Sequence, residues 1–212
     1  MNYNESVWAG KFGDDYTKRN IYGREELDEL YINRYGASRT EMNQLFLGDL
    51  DRNARILEVG CNAGNQLALL QKMGFTNLHG VEINSDAAEI ARTRVNGTIY
   101  SGISASDLSL FENNSFDLVF TSGVLIHINP NELLSVMSEV TRLSRKYVWG
   151  FEYFSPSHTE VTYRDKSDLL WRDDYSAMYE AYYGLKLVKE AFYPNIGNED
   201  LIDHMFMMKV EE

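Results

Sequence analysis

The chain has 212 residues, 44% of them apolar and 25% charged, and a formal net charge of −12 at pH 7. That length supports one domain with a substantial core and no need of disulfide or metal staples, and the balance argues against disorder. No apolar run approaches the ~20 residues that span a bilayer, so no membrane partner is expected. Met1 to Ser6 lacks the basic-then-apolar order of a secretion signal, and the lone cysteine, Cys61, forbids an intramolecular disulfide; both fit a reducing cytoplasm. The densest basic groups, Lys18-Arg19 and Arg142, Arg145, Lys146, lie among acids and form no segregated stripe. An acidic surface of this kind repels a phosphate backbone, so a small molecule rather than nucleic acid is the expected partner. Oligomeric state is left open.

In chain order, the first quarter reads as helical. Leu27, Leu30, Tyr31 and Arg34 share one face, and Ser38-Arg39-Thr40-Glu41 opens a second helix with a capping box. Arg55 to Gly60 is a short apolar strand, followed by a helix through Leu67, Leu70 and Met73. A second strand, Asn77 to Ile83, leads into a helix carrying Ala87, Ile90 and Ala91. Thr98 to Ile103 and Ser115 to Thr121 are the third and fourth strands. Asn129-Pro130-Asn131-Glu132 then supplies an N-cap, a proline at the first helical position and an acid in the first turn, ahead of Leu133, Val136, Met137 and Val140. Lys146 to Tyr153 reads as the fifth strand. Beyond it come a long polar connector through Pro156, a short helix at Tyr175 to Tyr183, and strands at Leu185 to Tyr193 and His204 to Val210. Alternating strands and helices predict an α/β, doubly wound, mostly parallel sheet, and late strands joined without a helix predict an antiparallel end to it.

The most informative segment, Glu58-Val59-Gly60-Cys61-Asn62-Ala63-Gly64-Asn65, joins the first strand to its helix, where such sheets bind ligands. A dinucleotide fingerprint would place glycine at positions 60, 62 and 65; only Gly60 fits, with Asn62 and Asn65 at the others, which disfavours a nicotinamide-dependent oxidoreductase. Glu58 would repel pyrophosphate and suits a cation. S-adenosylmethionine carries a sulfonium and an ammonium, with a carboxylate left for the helix N-terminus. Glu82, followed by Ile83, ends the second strand about 20 residues past the loop, where an acid hydrogen-bonds ribose hydroxyls. Cys61 reads as a small buried filler, and the histidines at 79, 127, 158 and 204 show no metal-ligand spacing, so no metal is expected.

From Ile56 to Glu152 these residues resemble motifs I and II of class I (Rossmann-like) S-adenosylmethionine-dependent methyltransferases (EC 2.1.1.-). The resemblance implies a seven-stranded sheet with one antiparallel strand near the C-terminus, Ser104 and Ala105 bordering the adenine, and Thr121 lining the cofactor. Many relatives hold the adenine amine with an acid after the third strand; Ser104 stands here, leaving Asp107 or a backbone carbonyl to serve. Trp8-Ala9-Gly10-x-Phe12-Gly13-Asp14-x-Tyr16-x-x-Arg19-Asn20, Gly123 to Pro130, Tyr163-Arg164 and Arg172-Asp173 further resemble the methyltransferases associated with pseudaminic-acid biosynthesis. That resemblance implies an anionic sugar or sugar nucleotide of surface-glycan (nonulosonic acid) biosynthesis as methyl acceptor. One domain over 1–212 is expected, with 1–50 a helical cap or lid and 154–183 a substrate-side loop and helix.

Within that frame Tyr16, Arg19 and Asn20 are candidates to fold over the cofactor, Arg19 on its carboxylate and Tyr16 on the sulfonium. His127 follows the fourth strand as a candidate general base, and Glu152 and Tyr153 close the fifth strand on the ligand edge. Tyr163, Arg164 and Arg172 sit in the late loop, where a guanidinium would take a carboxylate, Arg164 foremost. Each has a structural alternative: a helix-packing histidine, strand-end packing, solvated surface arginines. Two other functions fit the same motifs: methylation of another small acid or amine metabolite, and a catalytically silent S-adenosylmethionine-binding regulatory module.

Overall fold

A computed structural model describes residues 2–164 and 167–211. Met1 of the expected leaderless start, and two positions of the expected 154–183 segment, Asp165 and Lys166, lie outside the described residues. The chain forms two compact units, Met1–Ser104 and Ala105–Glu212. Its strands make a seven-stranded sheet, built in chain order from β1 (Arg55–Val59), β2 (Asn77–Glu82), β3 (Thr98–Ser101), β4 (Phe116–Ser122), β5 (Ser144–Phe154), β8 (Lys186–Asn195) and β9 (Asn198–Lys209), with order β3-β2-β1-β4-β5-β9-β8. A separate two-stranded hairpin, β6 (Thr159–Glu160) and β7 (Trp171–Arg172), stands in the long connector.

In the first unit, four helices precede the sheet: α1 (Tyr3–Ala9), α2 (Lys11–Arg19), α3 (Arg24–Tyr35) and α4 (Arg39–Leu47). Ser38 caps α4 through the expected box with Glu41. On α3 Leu27 is buried, whereas Tyr31 turns its ring to the Arg39 guanidinium, 5.2 Å away. β1, β2 and β3 run parallel, with Glu58 beside Gly80 and Glu82 beside Ser101. α5 (Asn65–Lys72) and α6 (Ser85–Arg94) are the crossover helices. Ile56, Leu57, Val59, Leu67, Leu70, Ala87 and Ala91 form the core between these layers. Cys61 fills it as expected: a Cβ on Gly80 would come within 2.7 Å of its sulfur.

In the second unit, β4 and β5 are parallel and β9 is antiparallel to both β5 and β8, the one reversed strand of the sheet. A 3-10 turn (Leu125–His127) follows β4, and α7 (Pro130–Leu143) starts on the Asn129 cap with Pro130 at its head. Its face of Leu133, Val136, Met137, Val140 and Leu143 is buried. α8 (Tyr175–Tyr183) spans the expected residues, capped by Asp174 and closed by Gly184 in the left-handed region. Most strand boundaries shift by a residue or two from expectation, and the reasons for some are plain. β3 stops at Ser101, because Gly102 turns out with φ 73°. β5 begins two residues earlier, at Ser144, whose hydroxyl donates back to the Val140 carbonyl. β9 begins at Asn198 instead of His204, since the turn at Gly197 (φ 90°) returns the chain directly into pairing with β8.

Candidate active site

In the first unit the loop after β1 is wound tightly over the end of β2. Gly60 and Cys61 both donate their amides to the Val81 carbonyl (2.9 and 3.0 Å). Gly60, Asn62 and Gly64 have φ of 73°, 46° and 74°. At Gly64, which opens α5, a Cβ would also lie 2.8 Å from a Val95 methyl, so glycine is required on two counts. Asn62 tolerates the left-handed region because its side chain bonds locally and outward: Oδ1 accepts from the Ala63 amide (2.7 Å) and Nδ2 donates to the Thr17 hydroxyl (2.9 Å).

Glu82 sits at the tip of β2, buried, its Oε2 accepting from the Asn62 amide (2.7 Å) and its Oε1 from the Asn84 amide (2.8 Å). Burial raises its carboxyl above the usual range, and the amides of Asn84, Asn62 and Ile83 oppose that rise. Glu58, also buried, has its pKa pushed well up by desolvation, against the pull of the Arg39 guanidinium and an amide bond from Leu67 at the start of α5. Its Oε2 is buried with no hydrogen-bond partner among the described residues. Behind it Arg39 is completely buried and donates to Asn43 (2.9 Å) and the Tyr31 hydroxyl (3.2 Å).

The N-terminal helices close on this edge. Asn20 donates its side-chain amide to the Tyr16 carbonyl (2.8 Å), and its own carbonyl accepts from Asn65 Nδ2 (2.6 Å). Tyr16 is half-buried, edge-on to Trp8 with ring centroids 5.3 Å apart. Arg19 is exposed, and its carbonyl accepts from the Tyr22 hydroxyl (3.3 Å). Asn84 Nδ2 donates to Asp14 (2.7 Å), and Ser104 Oγ donates to Glu5 Oε1. Arg94 was not among the expected residues. It donates to the Ala63 carbonyl (2.6 Å), to Asn65 Oδ1 (2.8 Å) and to the Tyr22 carbonyl, pinning the glycine loop to the chain after α2. A basic residue in the last turn of a helix reads as dipole compensation, so its sequence carried no sign of this role.

In the second unit Thr121, Glu152 and His127 are neighbours. Glu152, 1% exposed, takes the Val124 and Ile126 amides (3.2 and 3.4 Å) and a hydrogen bond from Thr121, and burial raises its pKa to about 7. Its first task is therefore to hold the turn that carries His127. His127 Nδ1 lies 2.7 Å from the Leu169 carbonyl. A carbonyl only accepts, so Nδ1 carries the proton and Nε2 the lone pair. Desolvation lowers this imidazole to about 4. The Tyr163 ring is 5.5 Å away.

Tyr153, Tyr163 and Arg172 meet in a pocket of about 360 Å³ whose apolar wall is Val161, Leu170 and Leu201, with Asn198 and Asp200 at its polar side. Arg172 Nη1 donates to the Asp200 carbonyl (3.1 Å), while its Nε is buried with no partner among the described residues. Only Arg172 of the two arginines lines this pocket. Arg164 is exposed, in the left-handed region (φ 53°), its guanidinium 5.9 Å from the Tyr163 ring, and it is not part of the pocket wall. Ala105 is half-buried at the start of this unit. Asp107 is exposed and spends Oδ1 on the Ser109 amide (3.2 Å) and hydroxyl (2.6 Å). Among the described residues no group of three or more His, Cys, Asp or Glu could hold a metal, and no helix is long and apolar enough to cross a membrane.

Strand order, one reversed strand, a glycine loop after β1 and an acid at the tip of β2 define the class I (Rossmann-like) methyltransferase fold. Residues 57–147, somewhat under half of the chain, match the family described as a methyltransferase domain. The chain is 28% identical over 112 residues to phosphoethanolamine N-methyltransferase of Plasmodium falciparum (isolate 3D7), covering 50% of this chain and 41% of that one. It is 28% identical over 109 residues to ribosomal protein L11 methyltransferase of Thermotoga neapolitana, covering 50% and 39%. It thus spans about two-fifths of the length of these curated relatives. The crystal structure of magnesium protoporphyrin IX methyltransferase from Synechocystis PCC 6803 with bound SAH superposes with a TM-score of 0.69 over 98% of both chains at 11% identity, a likeness of fold.

Proposed function

We propose that this chain is an S-adenosylmethionine-dependent methyltransferase acting on an oxygen or nitrogen of a small anionic acceptor, an acidic sugar or sugar nucleotide of surface-glycan (nonulosonic acid) biosynthesis. The observation that carries the cofactor assignment is the orphaned, buried Glu58 Oε2 beside a glycine loop that is clamped to Glu82. Burial drives Glu58 toward its neutral form and leaves Oε2 without a partner, and a cationic ligand group would both partner that oxygen and favour the ionised carboxylate. Pyrophosphate would aggravate it. Glu58 would take the cofactor's cationic end, the loop from Gly60 to Asn65 its carboxylate at the head of α5, and Glu82 its ribose hydroxyls through lone pairs not used by the Asn62 and Asn84 amides. Tyr16, Arg19 and Asn20 would cover it, with Ser104 as a further contact.

When bound, S-adenosylmethionine supplies an electrophilic methyl group on its sulfonium. The chain's own work is to seat the acceptor and to accept its proton. Arg172 would hold the acceptor's carboxylate or phosphate and Tyr153 and Tyr163 its hydroxyls; as the acceptor's oxygen or nitrogen bonds the methyl carbon, the sulfur–methyl bond would break to leave the neutral thioether, and His127 Nε2 would take the acceptor's proton. A pocket of this volume suits one compact ligand. The test is methyl transfer by purified protein from labelled S-adenosylmethionine to acidic sugars and their neutral counterparts. Transfer confined to the acids, with a Michaelis constant raised far more than cofactor affinity is altered in Arg172→Lys, is the expected result. Equal use of neutral analogues would remove the anion-binding role. Cofactor binding without transfer to any acid or amine offered would favour the silent regulatory module.

A further inference from the structure

We infer that the acceptor for the cofactor's nucleobase amine comes from the N-terminal helix: Glu5, docked on Ser104, reads the adenine edge, an inference that rests on the S-adenosyl cofactor proposed above. Its basis is where the chain goes after β3. Glu82 is paired with Ser101, and the Gly102 and Ile103 amides both donate to the Glu82 carbonyl (2.8 and 3.3 Å). Residues 102–104 therefore fold directly beside the acid proposed to hold the ribose. A nucleoside whose ribose sits on Glu82 and whose amino-acid end lies at the β1 loop extends its base toward Ser104.

A serine hydroxyl both donates and accepts, so alone it cannot tell an exocyclic amine from a carbonyl, whereas an ionised carboxylate only accepts. Ser104 Oγ donates to Glu5 Oε1, and Glu5 Oε2 accepts from the Asn2 amide (2.8 Å) within the capping box of α1. Both carboxylate oxygens are thus anchored, and the side chain is fixed at this position although α1 is remote in sequence. Each carboxylate oxygen can accept more than one hydrogen bond, and an amine donates two hydrogens. The acid missing after β3 is in this way supplied from 99 residues upstream.

The experiment compares the dissociation constants of S-adenosylhomocysteine and S-inosylhomocysteine, in which a carbonyl replaces the amine, for the full chain and for Glu5→Ala, Glu5→Gln and Glu82→Ala. The parent should prefer the adenosyl form by roughly 10- to 100-fold, the scale of a hydrogen bond to a charged acceptor. Glu5→Ala should lose most of that preference. Glu5→Gln, which keeps the size and gains a donor, should do so mainly by binding the inosyl form better. Glu82→Ala should weaken both ligands alike and leave the preference standing. A preference untouched in Glu5→Ala and Glu5→Gln, or an equal loss of both ligands in them, would overturn the assignment while leaving the cofactor reading intact. A parent that binds neither ligand would overturn the cofactor reading and this inference with it.

Discussion

Glu82 already shapes the loop, because its oxygens accept the Asn62 and Asn84 amides, and the ribose role proposed for it would come on top of that. Glu82→Ala should therefore weaken S-adenosylhomocysteine binding by about 1.5–3 kcal/mol, read by calorimetry. Unchanged affinity would remove the ribose role. At His127 the prediction is a separation of chemistry from binding: His127→Ala should lower maximal turnover by about 10²-fold with near-normal cofactor affinity. Because burial holds this ring at about 4, it is neutral from about pH 5 upward, and the rate should not climb through the ordinary histidine range near 6.5. A rise centred there and abolished in His127→Ala would mean that the ring is solvated and not held on Leu169. The acids at positions 58 and 82 and the loop asparagines were legible from residue type and spacing. Arg39 and Arg94 were not, since nothing local distinguishes a completely buried or loop-pinning arginine from a solvated one.

At the scale of elements, the turn after β4 is held by Glu152. Its carboxyl is raised to about 7, so the folded state binds this proton more tightly than the unfolded chain does. The stability it contributes is complete below about pH 4 and is lost as pH rises through about 7, a swing on the order of 3 kcal/mol. Urea unfolding of parent and Glu152→Gln at pH 5 and pH 8 should show the variant gaining on the parent by that order at the higher pH. An identical difference at both would mean that the loop amides hold the carboxylate at its ordinary pKa. Elements with local signals were read correctly: the Ser38 box, the Asn129-Pro130 start and the Tyr175 helix each carry their own caps. The β6–β7 hairpin has no such signal, since its pairing of Thr159 with Arg172 leaves no period in a short window. The early start of β9 follows instead from the Gly197 turn, a signal that the alternation of residues alone does not carry.

Across the whole molecule, what sequence conveyed best was the sheet, whose alternation of strand and helix fixes its topology. Conveyed least was how the N-terminal helices meet it. α1 and α2 are formed and already bonded to the ligand edge through Thr17, Asn20, Asp14 and Glu5. Cofactor should thus tighten an existing cover. Hydrogen exchange should show protection across residues 3–22 in the free protein, rising further with S-adenosylhomocysteine. Equal protection in both states would make these helices a fixed part of the fold.

The β1 loop with Glu58 and Glu82 is proposed to take an S-adenosyl ligand and not a dinucleotide. Calorimetric titration of the purified chain with S-adenosylhomocysteine, with NAD(H) as the competing ligand, tests it most directly. Saturable one-site binding of S-adenosylhomocysteine that NAD(H) does not displace is the expected result. Binding of NAD(H) with no response to S-adenosylhomocysteine would contradict it.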